Sequence, residues 1–286
     1  MRYSHVLGSA VVLAAATAAQ AGMTVSLVPV SNFGSGVTAG ARTFDLKVAA
    51  TAGTKWASGD LQFTLASTGA FTGTSFYNSA GGGNLQALGG TGTVLFDTYV
   101  TSPLLSSGTA TQAASVLGKA QYPVESGVGT AVFSSTVADI AWGDTSANLA
   151  PDGTYTVGRF SVLGNGGGDL KGRVGAANNS IAPVNFSVYL PIKGDVNGDR
   201  IVDLGDFNVW LSNGGTGTLG GTPLLAQGDV NQDGIVDLGD FNDWLSNGGN
   251  QLPGPGAALG SIVPEPASLS LVAIAGLSLA ARRRRA

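Results

Sequence analysis

Two stretches of this chain are nearly the same sequence. Residues 194–215 read GDVNGDRIVDLGDFNVWLSNGG, and residues 228–249 read GDVNQDGIVDLGDFNDWLSNGG, 34 residues further on. They differ only at Gly198/Gln232, Arg200/Gly234 and Val209/Asp243. A repeat this close means one unit of structure made twice. A helical solenoid does not fit, because each copy is half loop, is rich in Asp and Gly, and occurs only twice.

The spacing of the acids carries chemistry. Copy one places Asp195, Asn197, Asp199, Asp203 and Asp206 at positions 1, 3, 5, 9 and 12 of a twelve-residue loop. Copy two places Asp229, Asn231, Asp233, Asp237 and Asp240 at the same positions. A hard cation needs several oxygens at about 2.3–2.6 Å, and the position-7 carbonyls of Ile201 and Ile235 add one more to each set. Residues 194–243 hold nine Asp and one Arg. That charge density is costly unless a cation sits in it or the segment stays solvated. Disorder does not account for the short helix that each loop introduces. Leu204, Phe207, Trp210 and Leu211 form an apolar stripe at helical spacing, as do Leu238, Phe241, Trp244 and Leu245. Asn213-Gly214-Gly215 and Asn247-Gly248-Gly249 supply the stops. No helix enters either loop, so the unit is half an EF-hand, used twice.

The two D-V-N-x-D-x-I-V-D-L-G-D runs, each with its following helix, resemble a dockerin module over residues 193–249. The resemblance implies a small α module with pseudo-two-fold symmetry and two Ca2+ ions. It also implies a helix face offered to a cohesin-like protein. Asp at position 12 is usual in that family. Arg200 departs from it, standing where the loop turns sharply and Gly is expected, at a cost of around 1 kcal/mol. The first Ca2+ site is therefore expected to be the weaker. Leu204-Gly205 and Leu238-Gly239 occupy the positions that usually read the partner, so partner-binding residues do not carry over.

Composition sets the rest. Among 286 residues there are 45 Gly, no Cys, one His and 11% charged residues. Glu occurs only at Glu125 and Glu265. Strand and turn formers dominate. The single His5 lies in an N-terminal leader, so the remainder lacks the residues of His-based triads, thiol nucleophiles and ordinary zinc sites. No basic patch lies in the body, which argues against nucleic-acid binding. Residues 1–21 read as a signal peptide: Arg2, an apolar run from Val6 to Ala18, then Ala19-Gln20-Ala21.

Residues 22–192 read as a β-sandwich, jelly-roll-like, built of short alternating strands with turns between them. Strand signals lie at Val25/Leu27, Phe44/Leu46/Val48, Leu61/Phe63/Leu65, 93–101, 130–142, 154–163 and 183–191. Residues 104–120 are expected to include a helical turn. Trp56, Trp142, Tyr155 and Phe160 read as core, with a sugar-stacking platform as the alternative. The eight acids Asp45, Asp60, Asp97, Glu125, Asp139, Asp144, Asp152 and Asp169 fall into no motif, so no catalytic residue is assigned.

Residues 250–262 read as a Pro/Gly linker. Then come Pro264-Glu265-Pro266, an apolar run from Ala267 to Ala281, and Arg282 to Arg285. This order resembles the PEP-CTERM sorting tail, over residues 263–286. It implies a hydrophobic sorting helix, processing by an exosortase-type enzyme, and transient membrane anchoring in a Gram-negative-type envelope, often alongside exopolysaccharide. The plain alternative is a C-terminal membrane anchor.

The expected protein is thus mainly β and exported, and is not an enzyme. It stands at the cell surface or in the extracellular matrix and docks through a calcium-binding module. One alternative is a polysaccharide-binding sandwich with the module as a calcium-rigidified spacer. A weaker one is a tethered polysaccharide hydrolase.

Overall fold

The computed structural model describes residues 22–31, 40–51, 53–77, 96–103, 114–120, 122, 129–144, 149–177, 182–214, 217–218 and 225–254. The signal-peptide segment, Pro264-Glu265-Pro266 and the apolar run lie outside these residues. The described residues through Leu252 belong to one compact unit.

That unit is mainly β. The first sheet joins β1 (Met23–Val30), β2 (Arg42–Ala50), β9 (Gly153–Leu163) and β4 (Ser75–Phe76), with β5 (Tyr99–Val100) also on β9. The second runs β11 (Val184–Leu190), β10 (Gly168–Ala176), β3 (Trp56–Thr64), β8 (Val137–Asp144) and β6 (Ala114–Gly118), with β7 (Val132–Phe133) also on β8. Every pairing within them is antiparallel.

Alternation builds the core. In β1, Met23, Val25 and Leu27 are buried; in β2, Phe44, Leu46 and Val48; in β8, Ala138, Ile140 and Trp142. These residues and their counterparts from β3, β9, β10 and β11 form a single apolar cluster shared by both sheets. Full burial of each large side chain contributes about 1.5–3 kcal/mol. Trp56 and Trp142 are 2% and 0% exposed, with ring centroids 6.3 Å apart. The Trp142 indole donates to the Thr101 carbonyl at 3.0 Å. These two rings are core, and a sugar-stacking platform made from them is excluded.

Residues 104–113, where most of the expected helical turn falls, lie outside the described residues; Ala114–Gly118 is a strand paired to β8. Strand β10 has no counterpart among the strand signals of the sequence. Its Gly172 is forced by close approach, since a Cβ there would stand 2.1 Å from the Asp60 carbonyl.

The repeats follow directly after β11. Helix α1 (Leu204–Asn213) and helix α2 (Leu238–Asn247) each start at an Asp N-cap with a full capping box. Short strands β12 (Gly217–Thr218) and β13 (Ile235–Val236) pair with each other. Ile201 makes the matching bridge to Gln251. The Leu252 N–H donates to the Arg200 carbonyl at 2.9 Å, so the module runs on to Leu252.

Candidate metal loops and outward face

Both loops fold around two buried carboxylates, at positions 1 and 12. In loop two, Asp240 Oδ1 accepts the Val230 and Asn231 amides at 2.8 and 3.2 Å, and Oδ2 accepts the Asp237 amide at 2.8 Å. In loop one, Asp206 takes the Val196, Asn197 and Asp203 amides in the same way. Asn231 Oδ1 accepts the Asp233 amide at 2.8 Å and Asp233 Oδ1 accepts the Ile235 amide at 2.9 Å, an arrangement repeated by Asn197 and Asp199. Asp203 and Asp237, at position 9, bond the amides of Gly205 and Gly239 and so serve as helix caps.

The electrostatics are those of crowded, desolvated acids. Burial, with Asp240 and Asp233 nearby, pushes Asp229 up to about 7. Burial pushes Asp195 and Asp240 up to about 6 each and raises Asp206 as well. Among the described residues, no three acidic or His side chains already converge as a metal cage. The donor set still suits a hard cation, since these carboxylates keep spare lone pairs and Asp229 Oδ1 is buried without a hydrogen bond. The Gln232 amide favours the charged form of Asp229 but does not line up on that oxygen.

The halves grip one another reciprocally. Phe207, Trp210, Phe241 and Trp244 form one ring cluster, with Phe207–Trp244 centroids 4.9 Å apart and Trp210–Phe241 centroids 5.1 Å apart. The leucines of the stripes do not join this contact. Leu204, Leu211, Leu238 and Leu245 are 68%, 59%, 69% and 59% exposed. The sequence stripe therefore divides: its aromatics face the partner helix, and its leucines face outward.

At each position where the copies differ, one copy's residue makes a contact outside its own repeat unit. Gln232 is buried, and its Oε1 accepts the Thr43 amide of β2 at 2.7 Å. Arg200 lies 4.3 Å over the Tyr189 ring and pairs with Asp169. Asp243 pairs with Lys193 at 2.8 Å. Val209 packs on the main core cluster. At the loop entrances, Val196 and Val230 belong to that same core. The backbone shape at position 6 matches the sequence reading: φ is +80° at Arg200 and +84° at Gly234. Sequence reasoning saw the strain at Arg200, but it missed Tyr189 and Gln232, whose partners are remote in the chain.

The body acids are engaged in structure. Asp45 pairs with Arg159 at 2.7 Å and Asp60 with Arg173 at 2.9 Å, while Asp139 and Asp152 accept the Ala120 and Gly53 amides. Glu125 lies outside the described residues.

Residues 263–285 match the PEP-CTERM protein-sorting motif. The chain thus carries the mark of an exported protein that an exosortase-type enzyme handles on its way to the cell envelope. No curated protein and no solved structure matches the chain. Among the described residues, no helix is long and apolar enough to cross a membrane.

Proposed function

We propose that this is a non-enzymatic protein of the cell surface or extracellular matrix that docks a cohesin-like partner through the outer face of its repeat pair. In this reading calcium binds within the repeat pair, held by the position 1, 3, 5 and 12 side chains and the position-7 carbonyl of a loop. The ion neutralises the buried Asp residues and fixes the helices that start there. The observation that carries the reading is the division of the repeats. Gln232 and Arg200, where the copies differ, hold the strand residues Thr43, Tyr189 and Asp169, while the identical leucines Leu204, Leu211, Leu238 and Leu245 stand exposed in solvent. Exposed leucines repeated on paired helices mark an interaction surface. Burial of Trp56, Trp142 and Phe160 takes three of the four aromatics from the platform of the polysaccharide alternative and leaves Tyr155 half-buried.

A pull-down tests this. The full exported chain is the bait, envelope and secreted fractions are the prey, and a chelator elutes. A protein held by wild type, and lost when all four leucines become Gln, supports docking. Capture indifferent to the leucines, or retention of glycan alone, sinks it.

A further inference from the structure

We propose that the two loops have diverged: loop two, Asp229 to Asp240, is the one exchangeable divalent-cation site, and loop one, Asp195 to Asp206, is tied off to the sheets. This rests on the reading of the loops as calcium-binding.

In loop one the position-1 carboxylate is already filled. Asp195 Oδ1 accepts the Gly198 amide at 2.7 Å. Its Oδ2 accepts the Arg200 amide at 3.0 Å and the Tyr189 hydroxyl at 2.9 Å. Tyr189 is not part of the loop; it ends β11 and is itself buried. An ion entering loop one must compete with that hydroxyl inside a packed junction. Two cations also stand against it. Arg200 is fixed over the Tyr189 ring and on Asp169, and the buried Arg42 guanidinium acts on Asp195. Both oppose the addition of a dication.

Loop two differs at two of these points. Gly234 replaces Arg200, and the residue 34 positions on from Tyr189 is Pro223, which has no hydroxyl. Asp229 is fully buried; its Oδ2 accepts the Gly234 amide at 3.0 Å, and its Oδ1 has no hydrogen-bond partner among the described residues. A buried carboxylate oxygen without a partner is costly, and Asp233 and Asp240 act on the same group. A divalent ion satisfies that oxygen and relieves the crowding.

Calorimetric titration of the chelator-stripped full chain with calcium tests the proposal. Wild type is expected to bind one ion. Asp229→Asn weakens it by at least about tenfold, while Asp195→Asn, which keeps an acceptor for Tyr189, leaves it within about twofold. Tyr189→Phe with Arg200→Gly adds a second event. Terbium luminescence supplies an independent reading, because Trp210 bonds the Asp237 carbonyl of loop two and Trp244 bonds the Asp203 carbonyl of loop one. Trp210→Phe should remove most sensitised emission and Trp244→Phe little. Two ions of similar affinity in wild type, or a site lost with Asp195→Asn and kept with Asp229→Asn, overturns the proposal. Absence of any binding at millimolar calcium instead overturns the calcium reading beneath it.

Discussion

The Trp210 indole donates to the Asp237 carbonyl at 2.9 Å, so the first helix holds the start of the second. Trp244 returns the same bond to Asp203 at 2.9 Å. Each carbonyl also accepts a helix amide, from Phe241 or Phe207 at 3.3 Å, so neither is orphaned when its Trp is lost. Trp210→Phe should cost about 1 kcal/mol in urea denaturation. Trp244→Phe should cost more, because Trp244 also packs on Phe71, Ile192 and Val202. The reverse order would mean that this second seam contributes nothing.

Gln232 is the plug between module and sheet. Gln232→Ala strands the buried Thr43 amide, a penalty of about 1–3 kcal/mol. Part is offset because Gln232 Nε2 is itself buried without a partner. The left-handed backbone, φ +59°, strains Gln and Ala alike, so the substitution isolates the hydrogen bond. A net loss of about 1 kcal/mol is expected in denaturant melts. Gly198, the equivalent residue in loop one, has φ +77°, so Ala there should cost about 1 kcal/mol through backbone strain alone, with no loss of module–sheet contact.

The tryptophan core tolerates no added volume beside it. A Cβ at Gly59 would stand 2.8 Å from the Trp142 ring. Gly59→Ala should therefore lower stability by about 1–3 kcal/mol through overpacking. A neutral result in thermal melts would mean that the indole moves freely, which is incompatible with its bond to Thr101.

The metal-free protein should lose stability as pH rises. Asp229 is held up at about 7, and Asp195 and Asp240 at about 6, above the value of about 3.9 for an unfolded Asp. Between those values the folded state binds more protons than the unfolded one, so its stability falls with increasing pH. With chelator present, melting at pH 5 should exceed melting at pH 8. Saturating calcium should narrow that gap, because the ion displaces the protons of Asp229 and Asp240 while Asp195 keeps its own. A chelated protein more stable at pH 8 would contradict the burial of these carboxylates.

Much of this was legible locally. Period-two runs such as Phe44, Leu46, Val48 announce their strand, and the loop acids announce theirs by spacing alone. Strand β10 was not legible, because Gly172 occupies a core-facing position and interrupts the pattern between Leu170 and Val174. Strand β6 was not legible, because Ser115, Val116 and Leu117 between Ala114 and Gly118 are too short a run to show alternation. The outward leucines were read as one stripe with the aromatics, since helical spacing does not say which neighbour covers which edge. The sequence assigns no role to Gln232, Asp243 and Val209. Their meaning depends on Thr43, Lys193 and the core, which only the fold brings to them.

The repeat pair therefore fails in two different ways. Its outward surface is redundant: one lost leucine leaves its twin in place, so damage there comes by halves. The polar contacts that seat it on the sheets are single, and no twin stands behind Gln232 or Arg200. Change in one copy alone endangers the seat, whereas the outer surface is remade only when both copies change together.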